Sequence, residues 1–428
     1  MNTPRHHSVP AHAACLSLGL SLLVISPLPA TAGDQAAAPA PTPPLTVAVP
    51  DAWQRFNDWN LGGVLFPALH LHGVGGASSV APATLASGGH DPNREAFSAQ
   101  AIEPGLSLRT KYLEGFTNYI FFQDAAGDWQ DEWEEAFAKL VNLPGGFELK
   151  GGQYLPRYGA LNDKHLHAWD FVDSETVLSQ FLGEHGLLLQ GAELSWTLPF
   201  NADPVFVSIA SLGYGNTLAH EHEHHHGGVE TPYEGDEATL ADDIVTARLM
   251  GRYRFDDFHS ITSGLSWAGG TNGFGRDTQV LDVDAEYLWR ENGLEAGGRA
   301  LRLRGEILWR DVDAYSEHDE DADGTIDVSA GDEIFSGNYR ETGCYAHAIY
   351  TWNNHLDTGL RLGWVEGLTD FGQDERFRVS PSISYWFDAE RRLGLRTQYN
   401  YDHFSGGDDE HSVWFQLNIA LGSTQEVR

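Results

Sequence analysis

The chain has 428 residues and a formal net charge of −35, from 61 acidic and 26 basic side chains. This excess of negative charge excludes nucleic acid as a natural partner and favours cations or a cation-bridged surface. Aromatic residues and glycine are abundant, with 13 Trp, 15 Tyr, 21 Phe and 47 Gly against 2 Met. After residue 32 no window approaches about 18 consecutive apolar residues, so no transmembrane helix is expected.

The N-terminal segment has the form of an export signal. Residues 1–32 have a basic start, an apolar run and an A-x-A cleavage site that ends at Ala32, which predicts a Sec-type signal peptide. Residues 33–60 are rich in Pro and Ala and are expected to form a semi-rigid periplasmic linker. At the other end, residues 423–428 are expected to be a short tail.

Between residues 61 and 422 the hydrophobic pattern has a period of two. Leu281 and Val283 alternate with Asp282 and Asp284, so one face of such a segment is apolar and the other is charged. Segments of about ten residues with aromatic ends are typical of a transmembrane β-barrel, apolar toward lipid and polar toward the lumen. A soluble β-sandwich is the alternative, but the charged faces disfavour a second packed sheet.

The number and spacing of the segments sharpen this prediction. About sixteen of them are present, centred near residues 68, 103, 118, 136, 150, 193, 210, 247, 263, 284, 305, 344, 361, 381, 398 and 415. Short turns alternate with long connections at 75–95, 156–186, 217–238 and 314–336. We therefore expect an all-β, antiparallel barrel in the outer membrane of a Gram-negative cell, with the long loops outside.

The fourth long-side connection contains a histidine-rich tract. It carries His220, His222, His224, His225 and His226 with two interspersed glutamates. Neutral imidazoles are good ligands for Zn²⁺, Cu²⁺ and Ni²⁺, so the tract is interpreted as a site of metal capture. The alternative interpretation is a solvated polar loop with adventitious affinity.

The sixth long-side connection resembles part of a calcium loop. Asp319, Asp321, Asp323 and Asp327 occupy positions 1, 3, 5 and 9 of an EF-hand-type loop, with Gly324 at position 6. Position 12 is Ala330 instead of glutamate. Calcium binding and a hydrated acidic surface loop therefore both remain open.

Charged residues occupy the predicted lumen faces of several strands. They are Arg248, Arg252, Arg302, Arg304, Arg376, Arg378, Asp282, Asp284 and Glu286. As pore-lining rings they would set ion selectivity. As cross-strand ion pairs they would instead hold the wall together.

The third long-side connection is the least strand-like part of the chain. Its apolar residues, including Phe171 and Phe181, need cover from water, so we expect the loop to fold inward and narrow the pore. His165, His167, Asp170 and Asp173 are then candidate metal ligands. Alternatively, Asn162, Trp169 and Asp170 pin the loop to the inner wall.

A family resemblance rests on this same stretch, from Glu148 to Asp173. The stretch resembles bacterial proteins labelled zinc-regulated or TonB-dependent outer-membrane receptors, whose motif ends in H-x-H-A-W-D-F-V-D. The matching positions are Gly152, Gly159, Leu161, Asn162, His165, His167, Ala168, Trp169, Asp170 and Asp173. Leu166 stands where the family commonly has proline. The resemblance implies a barrel linked to zinc or another divalent metal.

The combined expectation is a porin-like channel or receptor for uptake of zinc or another divalent metal, as the free ion or a chelate. TonB coupling would imply a plug and about twenty-two strands, for which the chain has no room. Competing functions are a structural or adhesive barrel that binds calcium and lipopolysaccharide, and an outer-membrane hydrolase. Because no catalytic motif such as G-x-S-x-G is present, no enzyme is predicted. Assembly as a homotrimer stays open.

Overall fold

The structure is a computed structural model that describes residues 64–199, 205–217, 235–318, 333–368 and 373–422. Sixteen antiparallel strands form one closed barrel, which confirms the predicted fold class and strand number. The strands are β1 (Val64–Ser78), β2 (Ser98–Arg109), β3 (Leu113–Gln123), β4 (Trp129–Leu143), β5 (Phe147–Tyr154), β6 (Leu189–Thr197), β7 (Phe206–Asn216), β8 (Leu240–Arg254), β9 (His259–Asn272), β10 (Asp277–Arg290), β11 (Ala300–His318), β12 (Glu333–Asn353), β13 (Leu356–Val365), β14 (Arg376–Trp386), β15 (Leu393–Phe404) and β16 (Glu410–Gly422).

Each strand pairs with its neighbours in sequence, and the first strand closes the barrel against the last. In that closing pair Leu71 lies opposite Ile419 and Ala77 lies opposite Val413. Closure satisfies the backbone donors and acceptors of both terminal strands, so no sheet edge faces the bilayer.

The two faces of the wall have opposite chemistry, as the alternation predicts. On β10, Leu281 and Val283 are 39% and 43% exposed on the outer face, whereas Asp282 and Asp284 are buried on the inner face. An apolar exterior with a polar interior reverses the arrangement of a soluble protein and suits a lipid environment.

The two ends of the barrel differ in the length of their connections. The end that we call the short-turn end carries connections such as 110–112, 144–146 and 354–355. The opposite end, the long-loop end, carries 79–97 (loop L1) and 155–188 (loop L3). The predicted loop at 314–336 is shorter than expected, because β11 and β12 continue pairing there and Tyr315 lies opposite Ser336.

Helices are short and lie in the connections. L3 contains a 3₁₀ turn at Leu166–Ala168 and one α-helix, α1 (Thr176–Leu182). Other 3₁₀ turns lie at Pro82–Thr84 and Gly235–Ala238. Among the described residues, no helix is long and apolar enough to cross a membrane.

The largest hydrophobic cluster lies inside the barrel. L3 contributes Tyr158, Val177, Phe181, Leu182 and others, all of them buried. These side chains pack on inward-facing apolar residues of the wall, which include Phe137, Ile244, Val280, Leu308, Tyr345 and Val365. L3 therefore folds into the lumen and narrows it, as its apolar content predicts.

The exposed apolar face generates a testable prediction. Val283, which faces outward opposite Ile307 and Leu265, should not tolerate charge, because a buried guanidinium near the bilayer midplane costs about 2–4 kcal/mol. We expect Val283→Arg to lower the free energy of unfolding by that amount, measured by urea titration in phospholipid vesicles. Asp257→Arg, in a short turn, is the control, and an equal loss in both variants would contradict the assigned lipid face.

Candidate functional site

The two ends of L3 are tied together by one asparagine. Asn162 accepts a hydrogen bond from the Leu187 amide at 2.7 Å and donates to the Leu187 carbonyl at 3.2 Å. Because these residues are far apart in sequence, the pair holds the start and the end of the loop side by side. Asn162 thus holds the loop to itself, and these hydrogen bonds do not pin it to the inner wall as the alternative interpretation proposed.

The loop enters the lumen through a glycine that approaches the wall closely. The Gly159 amide donates to Ser266 Oγ of β9 at 3.0 Å, and its φ is +57°. A Cβ at this position would lie 2.6 Å from Glu306 Oε2 on β11. Both the backbone conformation and the lack of space require glycine here.

The far side of L3 is fixed by the Asp173 carboxylate. It accepts hydrogen bonds from Arg361 at 2.6 Å, Gln398 at 2.6 Å, Arg378 at 2.9 Å and Asn400 at 2.9 Å. These donors lie on β13, β14 and β15. We call this arrangement the Asp173 anchor. It joins three strands of the wall to one carboxylate of the loop.

The charges around the anchor favour ionised carboxylates. Burial disfavours the charged form of Asp173, but Arg361 and Arg378 outweigh burial and lower its pKa to about 2. The pKa of Glu175 is lowered in the same way, against burial, by Arg361 and by His347. The loop is thus held by ion pairs at neutral pH.

Backbone groups of L3 are also bound by the wall. Arg396 donates to the carbonyl oxygens of Phe171 and Trp169, both at 2.8 Å. The Val172 amide donates to Gln398 at 2.7 Å, and its carbonyl accepts from Gln100 at 2.6 Å. Because Gln100 lies on β2 and Gln398 on β15, which are close together in the closed sheet, this segment of L3 lies against the wall on both sides of the closing pair of strands.

Two groups of histidine and glutamate side chains lie at the border of L3. The inner cluster is His70 of β1, Glu103 of β2 and His167 of L3, whose ligand atoms lie within 4.8 Å of one another. His167 Nδ1 donates to Glu103 at 2.9 Å, and its ring stacks on that of His70 with centroids 3.9 Å apart. His72 Nε2 lies 3.7 Å from the same glutamate.

The outer cluster is His90 of L1, Glu132 of β4 and His185 of L3, also within 4.8 Å of one another. It borders a cavity of about 90 Å³ that His165 lines as well. The inner cluster instead borders a cavity of about 340 Å³ toward the short-turn end, lined by His167, Asp170, Arg302 and others. The clusters therefore lie on opposite sides of L3.

The metal ligands predicted in L3 are only partly brought together. His167 joins the inner cluster, whereas buried His165 donates to Glu135 at 2.8 Å and lies 3.2 Å from Glu134. Asp170 forms ion pairs with Arg302 and Arg304. Two guanidinium groups repel a cation, so this position does not support a metal at Asp170.

The charged residues predicted to line the pore face inward, but L3 and other wall residues contact most of them. Arg248 pairs with Asp284 at 2.7 Å. Arg304 pairs with Glu286, and both Arg376 and Arg378 pair with Asp402. Asp282 is fully buried, and exposed Arg252 lines a cavity near the short-turn end. Most of these residues form the ion-pair network that was the alternative interpretation.

The histidine tract and the acidic loop lie outside the described residues. His220, His222, His224, His225 and His226 precede residue 235, and Asp319, Asp321, Asp323 and Asp327 fall between β11 and β12. Metal capture and calcium binding there stay predictions.

Sequence reasoning missed several members of the two clusters. His70 and His72 have a spacing of two, which places both on one strand face and was a usable signal. Glu134 and Glu135 gave no such signal, because consecutive strand residues normally face opposite sides. A β-bulge at this point of β4, opposite Asn118 and Tyr119, turns both glutamates toward His165. His90 and His185 meet only through the folding of two loops.

No protein-family model matches the sequence. A protein of Aquifex aeolicus (strain VF5), described as uncharacterized, is 41% identical over 318 residues. The match covers 68% of this chain, and the chain spans 62% of the length of that relative.

Solved structures resemble the barrel as a whole. The anion-selective porin from Comamonas acidovorans has a TM-score of 0.50 at 10% identity, over 84% of this chain and 99% of that one. OmpF of Salmonella typhi has a TM-score of 0.48 at 12% identity, over 85% and 99% of the two chains. The outer-membrane channel DcaP of Acinetobacter baumannii has a TM-score of 0.48 at 10% identity, over 84% of this chain and 97% of that one. At such identities the likeness concerns the fold, which is that of porin-like outer-membrane barrels.

The Asp173 anchor generates a first prediction for the site. Asp173→Asn removes one of the carboxylates that compensate Arg361 and Arg378, which also pair with Glu175 and Asp402. Breaking a buried pair costs up to about 3–5 kcal/mol. We expect L3 to detach, with larger single-channel conductance and faster trypsin cleavage within 155–188. Asp163→Asn, in the same loop but one-third exposed (32%), should match the parent. An unchanged conductance and cleavage rate in Asp173→Asn would show that L3 does not depend on the anchor.

The lowered pKa of Asp173 predicts the acid response of L3. A carboxyl group whose pKa is lower in the folded state than in the unfolded state stabilises the fold when the pH is above the unfolded-state pKa. This contribution is lost as the pH falls through the folded-state pKa. Amide hydrogen exchange of L3 should therefore stay slow from neutral pH down to about 4, the usual range for aspartate. Protection should disappear as the pH approaches about 2. Loss of protection between about pH 5 and 7 would instead indicate a histidine.

Proposed function

We propose that the protein is an outer-membrane channel for the uptake of divalent metal ions, with zinc as the reference ion. The observation that carries the proposal is the inner cluster, His70, Glu103 and His167. Imidazole nitrogens and a carboxylate oxygen are the donors that zinc takes in proteins. The cluster borders the cavity beneath L3, so an ion released from it enters the half of the barrel at the short-turn end.

The narrowed lumen supports selective transport over general diffusion. L3 packs a hydrophobic cluster and several ion pairs across the barrel. A solute that crosses must therefore pass polar groups at the border of L3, and binding groups at a constriction give selectivity. In this proposal the long-loop end faces the outside, as expected for outer-membrane barrels.

The overall charge fits the uptake of cations. A net charge of −35 raises the local concentration of cations at the surface. The histidine tract 220–226 and the acidic loop 319–327, if they bind zinc and calcium as their sequences predict, would add to this effect. The resemblance of 148–173 to zinc-regulated receptors agrees with the same class of solute.

A second candidate is an anion-conducting porin. The observation that favours it is the set of arginines that line the cavity beneath L3, among them Arg290, Arg302, Arg391 and Arg396. Asp170 and Asp357 offset two of these charges. Such a cavity would suit an anionic solute or an anionic metal chelate.

The two candidates differ in the sign of ion selectivity. In a planar bilayer with a salt gradient, the reversal potential of the parent should show preference for cations. An anion-selective reversal potential would favour the second candidate, and the absence of conductance steps would indicate a structural barrel.

Zinc flux provides the direct test of the proposed function. Zinc entry is measured in vesicles loaded with a zinc-sensitive dye. The double variant His70→Gln, His167→Gln should lower zinc flux by at least about 10–100-fold, which is the effect of changing even residues that only support the ligands of a metal site. Potassium conductance should be retained. His403→Gln, an exposed histidine paired with Asp409, is the control. Equal zinc flux in the double variant and the parent would refute the inner cluster as a transport site.

Homotrimer assembly in lipid and lipopolysaccharide is part of the same proposal. Native mass spectrometry of the extracted protein distinguishes a trimer from a monomer.

A further inference from the structure

Histidine and glutamate side chains alternate along one line from the outer cluster toward the inner cluster. The line begins at His185, whose Nδ1 lies 3.3 Å from Glu132 Oε1, and the same oxygen lies 3.3 Å from His90 Nε2. His90 Nε2 in turn lies 3.7 Å from Glu134 Oε1. L1, β4 and L3 thus each contribute to the outer end of this line.

The line continues through the buried His165. Its Nδ1 lies 3.2 Å from Glu134 Oε2, and its Nε2 lies 2.8 Å from Glu135 Oε2. The His165 ring stacks on that of His167, with centroids 5.7 Å apart. His167 belongs to the inner cluster, so the line ends at the cavity beneath L3.

We propose that the outer cluster is a second binding site for a divalent transition-metal ion, and that Glu134 and His165 pass the ion from it to the inner cluster. This inference rests on the proposed function, because it assigns an entry site and a path to the same transport. The ligand is a zinc-class cation, since two imidazoles and one carboxylate suit such ions better than Ca²⁺ or Mg²⁺.

The geometry of the outer cluster fits a metal with short bonds. Zinc bonds of about 2.0–2.1 Å in a tetrahedron place neighbouring ligand atoms about 3.3–3.4 Å apart. Glu132 Oε1 lies at 3.3 Å from each of the two histidine nitrogens. The third edge, between His90 and His185, is within 4.8 Å.

His90 supplies an independent observation. Its side chain is buried, yet neither ring nitrogen makes a hydrogen bond of normal geometry to the described residues. Leaving a buried polar group without a partner is unfavourable. His90 Nε2 lies 3.3 Å from Glu132 and 3.7 Å from Glu134, and a metal ion bound by this nitrogen would supply the partner that it lacks.

The spacing of the line suits stepwise transfer. Neighbouring donors along the outer part lie between 2.8 and 3.7 Å apart. An ion can therefore gain the next ligand before it leaves the previous one, and several moderate sites conduct better than one tight site.

The binding test uses the full chain in lipid, with the histidines of 220–226 replaced by glutamine so that this tract does not contribute. Calorimetry with Zn²⁺ should show that His90→Gln, His185→Gln loses one equivalent and keeps the equivalent of the inner cluster. His403→Gln should keep both. If the double variant binds as many zinc equivalents as the parent, the proposed outer site is wrong.

The transfer test uses His165. His165→Gln should keep both zinc equivalents but lower zinc flux by at least about 10-fold, the smaller effect expected at the periphery of a metal site. The control is His259→Gln, a partly buried histidine of β9 whose Nδ1 lies 2.7 Å from the Tyr287 hydroxyl and which lies outside the line. It should not lower zinc flux. Parent-like flux in His165→Gln would overturn the path.

Folding of each variant is checked by its heat-modifiable mobility in SDS gels. If the double variant at the outer site does not fold, Glu132→Gln, a partly exposed position, replaces it and should lose the same zinc equivalent.

The two proposals are contradicted by different results. In one outcome, the inner-cluster variant loses zinc flux while the outer-cluster variants bind and transport zinc like the parent. This outcome would retain the proposed function and reject only the present inference. Parent-like flux in the inner variant would reject the proposed function, whereas zinc binding at the outer cluster would still be measured.

Discussion

The ionised carboxylate of Asp173 is the constraint on which the interior of this barrel depends. Two arginines from neighbouring strands face it, and neither guanidinium would be stable in a buried position without a negative partner. The carboxylate therefore draws L3 across the lumen to β13, β14 and β15. Once the loop is held there, its apolar helix α1 lies against the inner wall, and His167 reaches the nearby strands β1 and β2.

The position of the hydrophobic cluster explains why L3 has such an unusual composition. A loop that projected into water would expose Phe171, Phe181 and Leu182, whereas in the lumen all three are buried. The wall contributes matching apolar residues at its inward positions, such as Leu308 and Val280. The barrel thus carries two apolar surfaces, one on its outer face and one on the part of the inner face that L3 covers. The remaining polar groups of the inner face form ion pairs or belong to the line of histidines and glutamates.

The contrast between arginine and histidine divides the border of L3 by function. Arginines bind the loop on the β11, β13, β14 and β15 side, where fixed positive charge pairs with Asp170, Asp173 and Glu175. Histidines and glutamates occupy the β1 to β4 side, where donors suitable for metal ions replace fixed positive charge. One side therefore holds the loop, and the other carries the side chains on which the proposed cation binding depends.

The sequence by itself determined the barrel, because alternation with a period of two is a local property that each strand displays on its own. Leu281 to Asp284 already show which face meets lipid, and the inward fold of L3 follows from its apolar residues. Pairings between distant segments could not be read in the same way. The bulge that turns both Glu134 and Glu135 toward His165, and the meeting of His90 with His185, depend on how two loops pack. The sequence marked His165, His167 and Asp170 alike, and only the tertiary structure separated them, since it placed arginines beside Asp170 and carboxylates beside the histidines.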